Sequence, residues 1–174
     1  MSSSATTTIS EDYLCAIFAE RVLVDKGFAV WLLSQTKFAA VAKSVDLLAE
    51  EQAKRPAKAW WRHWWCSVKD TGRQSETDIL LVFKDGERRV ALHIENKFSA
   101  PLVQYQADDY APRARQMMKN KWVSYDDFET IIIAPKSYLL GNIAECKKFD
   151  RMISYERIGQ HIPEYETVVR RNVK

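Results

Sequence analysis

Two apolar runs joined by a tight turn dominate the pattern of this chain. Within residues 75–98, SETDILLVFKDGERRVALHIENKF, the runs DILLVF and VALHI are almost continuously apolar, as strands covered on both faces are. Asp85-Gly86 between them predicts a hairpin, since both central residues of a type I′ turn need positive φ. With Lys84 opposite Glu87, Asp78 faces His93 and Glu95 lies diagonally across from Asp78. Side chains alternate faces with period two. One face then carries Ile79, Leu81 and Phe83 with Val90, Leu92 and Ile94, and is read as core. The other carries Asp78, Leu80 and Val82 with Ala91, His93, Glu95 and Lys97.

Helical and further strand signals surround the hairpin. Glu11 to Val24 predicts a helix with Ser10 as N-cap, Glu11 and Asp12 in its first turn, and Ile9 able to staple against Leu14. Glu20 interrupts its apolar stripe between Ile17 and Val24, either as a functional acid or as a flanking charge. Gln106 and Tyr110 stand four apart on one face of a predicted helix. Pro112 is expected to kink or restart that helix, because it removes the hydrogen bond to Asp108. Residues 128–134, FETIIIA, form a buried strand ended by Pro135; residues 137–148 form a helix with a weak point at Gly141. Residues 151–155 are a short strand, and residues 156–170 are helical in places and broken by Pro163. As a strand, AWWRHWWCSVK needs cover on both faces. Trp60, Trp61, Trp64 and Trp65 are therefore read as core or as a contact between two copies, with base stacking as the alternative.

The hairpin's second face carries the candidate chemistry. Diagonal neighbours on adjacent strands lie roughly 7–8 Å apart, close enough for two carboxylates to converge on one ion. Magnesium prefers oxygen ligands and usually takes one or two carboxylates, leaving positions for water and phosphate. Asp78 and Glu95 meet that need, and Lys97 on the same face can hold or polarise an attacking water. Charges at the ends of doubly covered strands must be paired, hydrated in a cleft or metal-bound.

Together these residues resemble the PD-(D/E)XK phosphodiesterase superfamily. Thr77-Asp78 stands where the family has Pro-Asp, Glu95-Asn96-Lys97 matches (D/E)XK, and Gln106 with Tyr110 matches the Q-x-x-x-Y element of some nuclease branches. The match runs from about Glu20 to Tyr155. It implies a three-layer α/β/α sandwich with a mixed central sheet, restriction endonuclease-like, and a magnesium-dependent nuclease for which manganese can substitute. By the same resemblance, Asp78, Glu95, the Asn96 carbonyl and Glu20 form the metal's environment, Lys97 positions water, Gln106 and Tyr110 contact substrate or support the metal site, and Arg113 contacts substrate. The substrate is nucleic acid, DNA first, in restriction, phage defence or repair. The rival readings are a non-catalytic binding module of the same fold and an assembly subunit held through the tryptophan-rich strand.

Composition narrows the picture modestly. With 174 residues, 47% of them hydrophobic, five glycines and five prolines, the chain can form one domain over residues 10–174 after a disordered lead at 1–9. No apolar run approaches the ~20 residues that span a bilayer. Cys15, Cys66 and Cys146 are odd in number and widely spaced, which favours reduced thiols and a cytoplasmic location. A net charge of +3 is only mildly basic, but Lys54, Arg55, Lys58, Arg62, Lys69 and Arg73 precede the first motif acid. Arg113, Arg115, Lys119 and Lys121 follow the Gln-Tyr pair, and two such stretches suit a phosphate backbone. His93-Ile-Glu95 echoes the H-x-E of zinc deaminases without the P-C-x-x-C that should follow. His63, His93 and His161 are too scattered for a zinc site, and His93 is read as either a tuning neighbour of the acids or core.

Overall fold

First-turn chemistry sets where the chain begins to coil. In the computed structural model, which describes residues 9–172, the Ser10 side chain accepts the Tyr13 N–H at 3.1 Å and α1 runs Glu11–Val24, as the pattern predicts. Asp25 then closes one helix and opens the next. Its N–H returns to the Arg21 carbonyl, and its carboxylate accepts the Phe28 N–H of α2 (Lys26–Ser34). The lead expected over residues 1–9 lies, apart from Ile9, outside the described residues, and Ile9 packs against the core.

A 3₁₀ turn at Ala39–Val41, the strand β1 (Asp46–Leu47) and the short helix α3 (Ala49–Gln52) lead into β2 (Arg62–Ser67), β3 (Gln74–Asp85) and β4 (Arg88–Asn96). Helix α4 (Gln106–Met117) then crosses from β4 to β5 (Asp127–Ala134), so those strands pair in parallel. Helices α5 (Lys136–Gly141) and α6 (Ile143–Cys146), strand β6 (Arg151–Ser154) and helices α7 (Tyr155–Ile158) and α8 (Pro163–Asn172) follow. The result is an α/β fold around a mixed six-stranded sheet in the order β1-β3-β4-β5-β6, with β2 sharing the β1 edge of β3. Among the described residues no helix is long and apolar enough to cross a membrane.

Apolar residues on both sides of the hairpin strands dictate cover on both sides. Ile79, Leu81, Phe83, Val90, Leu92 and Ile94 pack with Leu14, Phe18, Leu32, Leu33, Tyr155 and Tyr165. Across the sheet, Leu80, Val82 and Ala91 pack with Met117 and Tyr125, while Tyr110 packs with Ile132, Ala134 and Leu139. Trp61 and Trp64 are buried in the clusters on opposite faces, whereas Trp65 is 57% exposed.

Three local expectations need correcting. The turn is Gly86-Glu87, with Asp85 opposite Arg88 and Lys84 opposite Arg89. Gly86 alone adopts positive φ, at 58°, the pattern of a type II′ turn, which asks for glycine only at its first central position. Pairing therefore moves by two residues, Leu80 faces His93, and the paired residues from Ile79 to Asp85 and from Arg88 to Ile94 keep their faces. The helix expected over residues 137–148 is two short ones, α5 and α6, parted at Asn142 directly after the expected weak point at Gly141. Pro112 neither ends nor restarts α4, which continues to Met117, while Pro163 opens α8, where a missing N–H costs nothing.

Between its pairings with β2 and β1, strand β3 has an edge that Gln52 completes. The Gln52 amide donates to the Leu80 carbonyl and accepts the Val82 N–H, both at 2.9 Å, and the side chain is fully buried. One side chain thus stands in for a missing stretch of strand. Gln52→Leu should destabilise the fold by about 3 kcal/mol, because it strands two buried backbone groups of β3. Urea denaturation checks this, and a midpoint equal to the wild type would refute it.

Candidate active site

Asp78 occupies a break in the alternation of β3. Thr77 and Ile79 would share a face in a regular strand, yet Ile79 lies in the α1-side core while Thr77 bonds Arg113 and His93 on the α4 side. Such a slip is what a β-bulge produces, and it re-aims the residue within it. Asp78 accordingly borders clefts on both sides of the sheet. One holds Glu11, Cys15 and Arg62; the other, of about 260 Å³, holds Arg73, Gln104, Gln106 and Asp109. Its Oδ2 accepts the Asn96 backbone N–H at 2.9 Å.

Glu95 is 1% exposed on β4 and surrounded by donors. Lys97 Nζ lies 2.9 Å from Oε1, Gln106 Nε2 donates to the same oxygen at 2.6 Å, and the Tyr110 hydroxyl donates to Oε2 at 2.5 Å. The i, i+4 spacing of Gln106 and Tyr110 does put both on one carboxylate. Tyr110 is itself 1% exposed, so of the two roles expected of it, it is placed to hold Glu95 rather than to contact substrate. Gln106 lines the cleft and holds Glu95 as well.

The remaining expected residues divide. Lys97 follows β4 directly and is brought to the acids. Asn96 turns its side chain to the other face, donating to the Glu11 carbonyl and Cys15 Sγ and accepting from the Tyr155 hydroxyl at 2.5 Å. Glu20 is exposed on α1, nine residues and roughly 13 Å along the axis from Glu11. Glu11 and Asp12 are the acids of that helix near the site; Asp12 pairs with Arg62, and Glu11 Oε1 accepts the Phe98 N–H at 2.7 Å. Helix-capping preference already accounts for Glu11, so nothing in the sequence singles it out. Arg113 is fully buried and cannot touch substrate directly. His93 is core: its Nε2 and Nδ1 lie 2.8 Å from the Tyr125 hydroxyl and from Thr77 Oγ1. Burial, helped by the Arg113 charge, holds its imidazole well below the ordinary range and therefore neutral.

Electrostatics at the acids follow from burial. It pushes Asp78 well above the ordinary carboxylate range and the Glu95 charge adds to this, against the Asn96 N–H and Lys97. Burial raises Glu95 too, opposed by Lys97, Tyr110 and Arg113. At Lys97 burial favours the neutral amine, but Glu95, Asp78 and Glu11 outweigh it and raise its pKa. Lys97 is thus a fixed ammonium, one cation facing several carboxylates.

That imbalance fits a bound cation. Asp78 and Glu95 offer hard oxygen ligands carrying more negative charge than Lys97 offsets. Among the described residues no three Asp, Glu, His or Cys side chains form a cage, so two carboxylates would hold the ion with water and substrate completing its shell.

Repulsion between the acids has a measurable consequence. A carboxyl whose folded pKa is raised keeps its proton longer in the folded state, so its penalty grows as pH rises from the unfolded range through the folded pKa. In chelator at neutral pH, Asp78→Asn should therefore melt above wild type, with the gap closing as pH falls toward 4. Thermal melts across that range check it; an Asn variant that melts lower at neutral pH would contradict it.

No family model, no curated protein and no solved structure matches the chain.

Proposed function

We propose that this protein is a metal-dependent phosphodiesterase acting on nucleic acid, DNA first, built on a restriction endonuclease-like α/β/α fold. One observation carries the reading. Asp78, beside an open cleft, feels the charge of the buried Glu95, and the Lys97 ammonium stands 2.9 Å from Glu95. The helix–hairpin–helix–strand order from α1 to β5 accords with the resemblance, as does Gln106-Tyr110 clasping the second acid.

Asp78 and Glu95 would hold magnesium or manganese, which supplies Lewis-acid polarisation of the phosphate and a lowered pKa for the attacking water. The protein's own groups do the rest. Gln106 and Tyr110 fix both oxygens of Glu95, so the carboxylate is preorganised rather than gathered at the moment of reaction. Asn96 N–H does the same for one oxygen of Asp78. Lys97, permanently charged, orients the water and offsets charge building on the phosphate. Water adds to phosphorus as the bond to the 3′ oxygen breaks. The products are 5′-phosphate and 3′-hydroxyl ends, as the resemblance implies, and no protein nucleophile is required.

Incubation with plasmid, linear and single-stranded DNA and with RNA, in magnesium, manganese or chelator, tests the proposal. Metal-dependent cleavage of at least one substrate is expected, and Asp78→Asn or Glu95→Gln should lower it on the order of 10³-fold with the fold retained. Wild-type rates in both variants would remove the assignment. Lys97→Ala should slow the chemical step by roughly 10²-fold with affinity in calcium little changed. Tyr110→Phe should cost about tenfold in the same step, since it loses a charge-assisted hydrogen bond to Glu95 and no substrate contact. Single-turnover rates beside equilibrium binding distinguish these outcomes.

A further inference from the structure

A guanidinium cannot shed its charge, so when buried it needs compensation. Arg113 is 0% exposed and finds little. Its Nε donates to Thr77 Oγ1 at 3.0 Å, one terminal nitrogen donates to Ser75 Oγ, and its carbon lies 3.9 Å from the Tyr110 ring centroid. The other terminal nitrogen has no hydrogen-bond partner. Among the described residues no carboxylate stands within ion-pairing distance of it. The titratable groups that feel its charge include His93, Tyr125, Cys66 and Tyr110, together with Glu95, which Lys97 already pairs.

Ser75 carries that charge toward the surface. Its hydroxyl accepts from Arg113, so its proton must point elsewhere, and no described residue accepts it. Half-buried, it lines two clefts: one of about 320 Å³ with Trp65, Gln74 and Glu76, and the 260 Å³ cleft that reaches Asp78 and Gln106. Gln74, Ser75 and Glu76 line both, so the two clefts adjoin at Ser75, and the second runs on to Asp78. Within it Arg73 is spent on Asp109, bound by two hydrogen bonds. Arg113, buried behind Ser75, is a positive charge without an ion-pair partner among the described residues, and Glu76 and Asp78 bound the space where an anion is tolerated.

We propose that Ser75, backed by the buried Arg113, is a phosphate subsite that seats the nucleic-acid backbone beside the acids. It rests on the phosphodiesterase reading of the same cleft. Ser75 donates its hydroxyl to a phosphate oxygen, and Arg113 polarises that hydroxyl while its own charge gains a counter-ion. The subsite lies three residues, roughly 10 Å of strand, before Asp78, within reach of the strand that carries the scissile bond.

Two arms test it, neither needing turnover. In the first, the melting temperature is followed against inorganic phosphate, with chloride at equal ionic strength as control. Wild type should rise with phosphate, and Ser75→Ala, a half-exposed change that leaves the core intact, should lose most of the rise. In the second, a labelled single-stranded 12-mer is titrated in chelator across salt. Ser75→Ala should weaken binding severalfold and lower the slope of log affinity against log salt by about 0.7, one phosphate's share. Arg113→Lys, checked for folding by circular dichroism, should behave likewise, since a lysine lacks the fork that reaches Ser75 and Thr77 together. Equal phosphate stabilisation and equal salt slopes in wild type and Ser75→Ala would overturn the subsite. Phosphate dependence without cleavage in any metal would leave it standing and remove the phosphodiesterase proposal; cleavage by Ser75→Ala with wild-type salt dependence would do the reverse.

Discussion

A carboxylate buried as deeply as Glu95 can stay ionised only if donors meet it on every side, and that requirement organises half of the molecule. Its donors come from two places, Lys97 just past the end of β4 and the first turns of α4. Docking α4 against the sheet is therefore set by polar contacts at one end and by apolar packing of Ala107, Tyr110, Ala114 and Met117 along its length. Because Tyr110 must face Glu95, the helix also turns Arg113 inward beneath it, three residues on. A surface arginine becomes a buried one as a by-product of orienting a single acid.

Asp78 meets the opposite constraint. Where Glu95 is locked by three donors, Lys97, Gln106 and Tyr110, Asp78 has one backbone N–H and a position in a break of strand regularity. The irregularity leaves Thr77 on the α4 side, where its hydroxyl sits between Arg113 and His93. A consistent hydrogen-bond order runs from Arg113 through Thr77 to His93 and on to Tyr125 and the Ala114 carbonyl. Only the neutral imidazole with its proton on Nε2 satisfies that order. The buried histidine therefore stiffens the layer under the acids without adding charge to it.

What could be read in advance was periodicity; what could not was partnership. The faces of β3 and β4 were legible because a register error of two residues leaves alternation untouched, whereas an error of one would have inverted it. The Glu95, Lys97, Gln106 and Tyr110 grouping was legible because i, i+2 on a strand and i, i+4 on a helix are fixed by backbone geometry. Glu20 misled because an acid in an apolar stripe looks the same whether it faces the site or the solvent. Glu11 hid behind its value as a first-turn acid. Arg113 escaped because arginine is seldom fully buried, and Pro112 beside it raised doubt about the helix that buries it. Gln52 gave no signal at all, since the edge it completes exists only once β1 and β2 are both placed on β3.

The two halves of the site thus divide a single physical problem. Bringing two carboxylates together in a poorly solvated place disfavours folding, and the chain offsets this in part with one lysine at Glu95 and neutral donors elsewhere. It does not remove the excess, because Asp78 remains raised well above its ordinary range. On the other side of Tyr110, about one turn of α4 away, an equally uncompensated guanidinium is retained. Folding alone would favour pairing these opposite charges, yet Tyr110 gives its hydroxyl to Glu95 and its ring face to Arg113. Stability given up at both places leaves one region short of a cation and its neighbour short of an anion. On the proposed reading, a phosphodiester accompanied by a divalent ion would supply both at once.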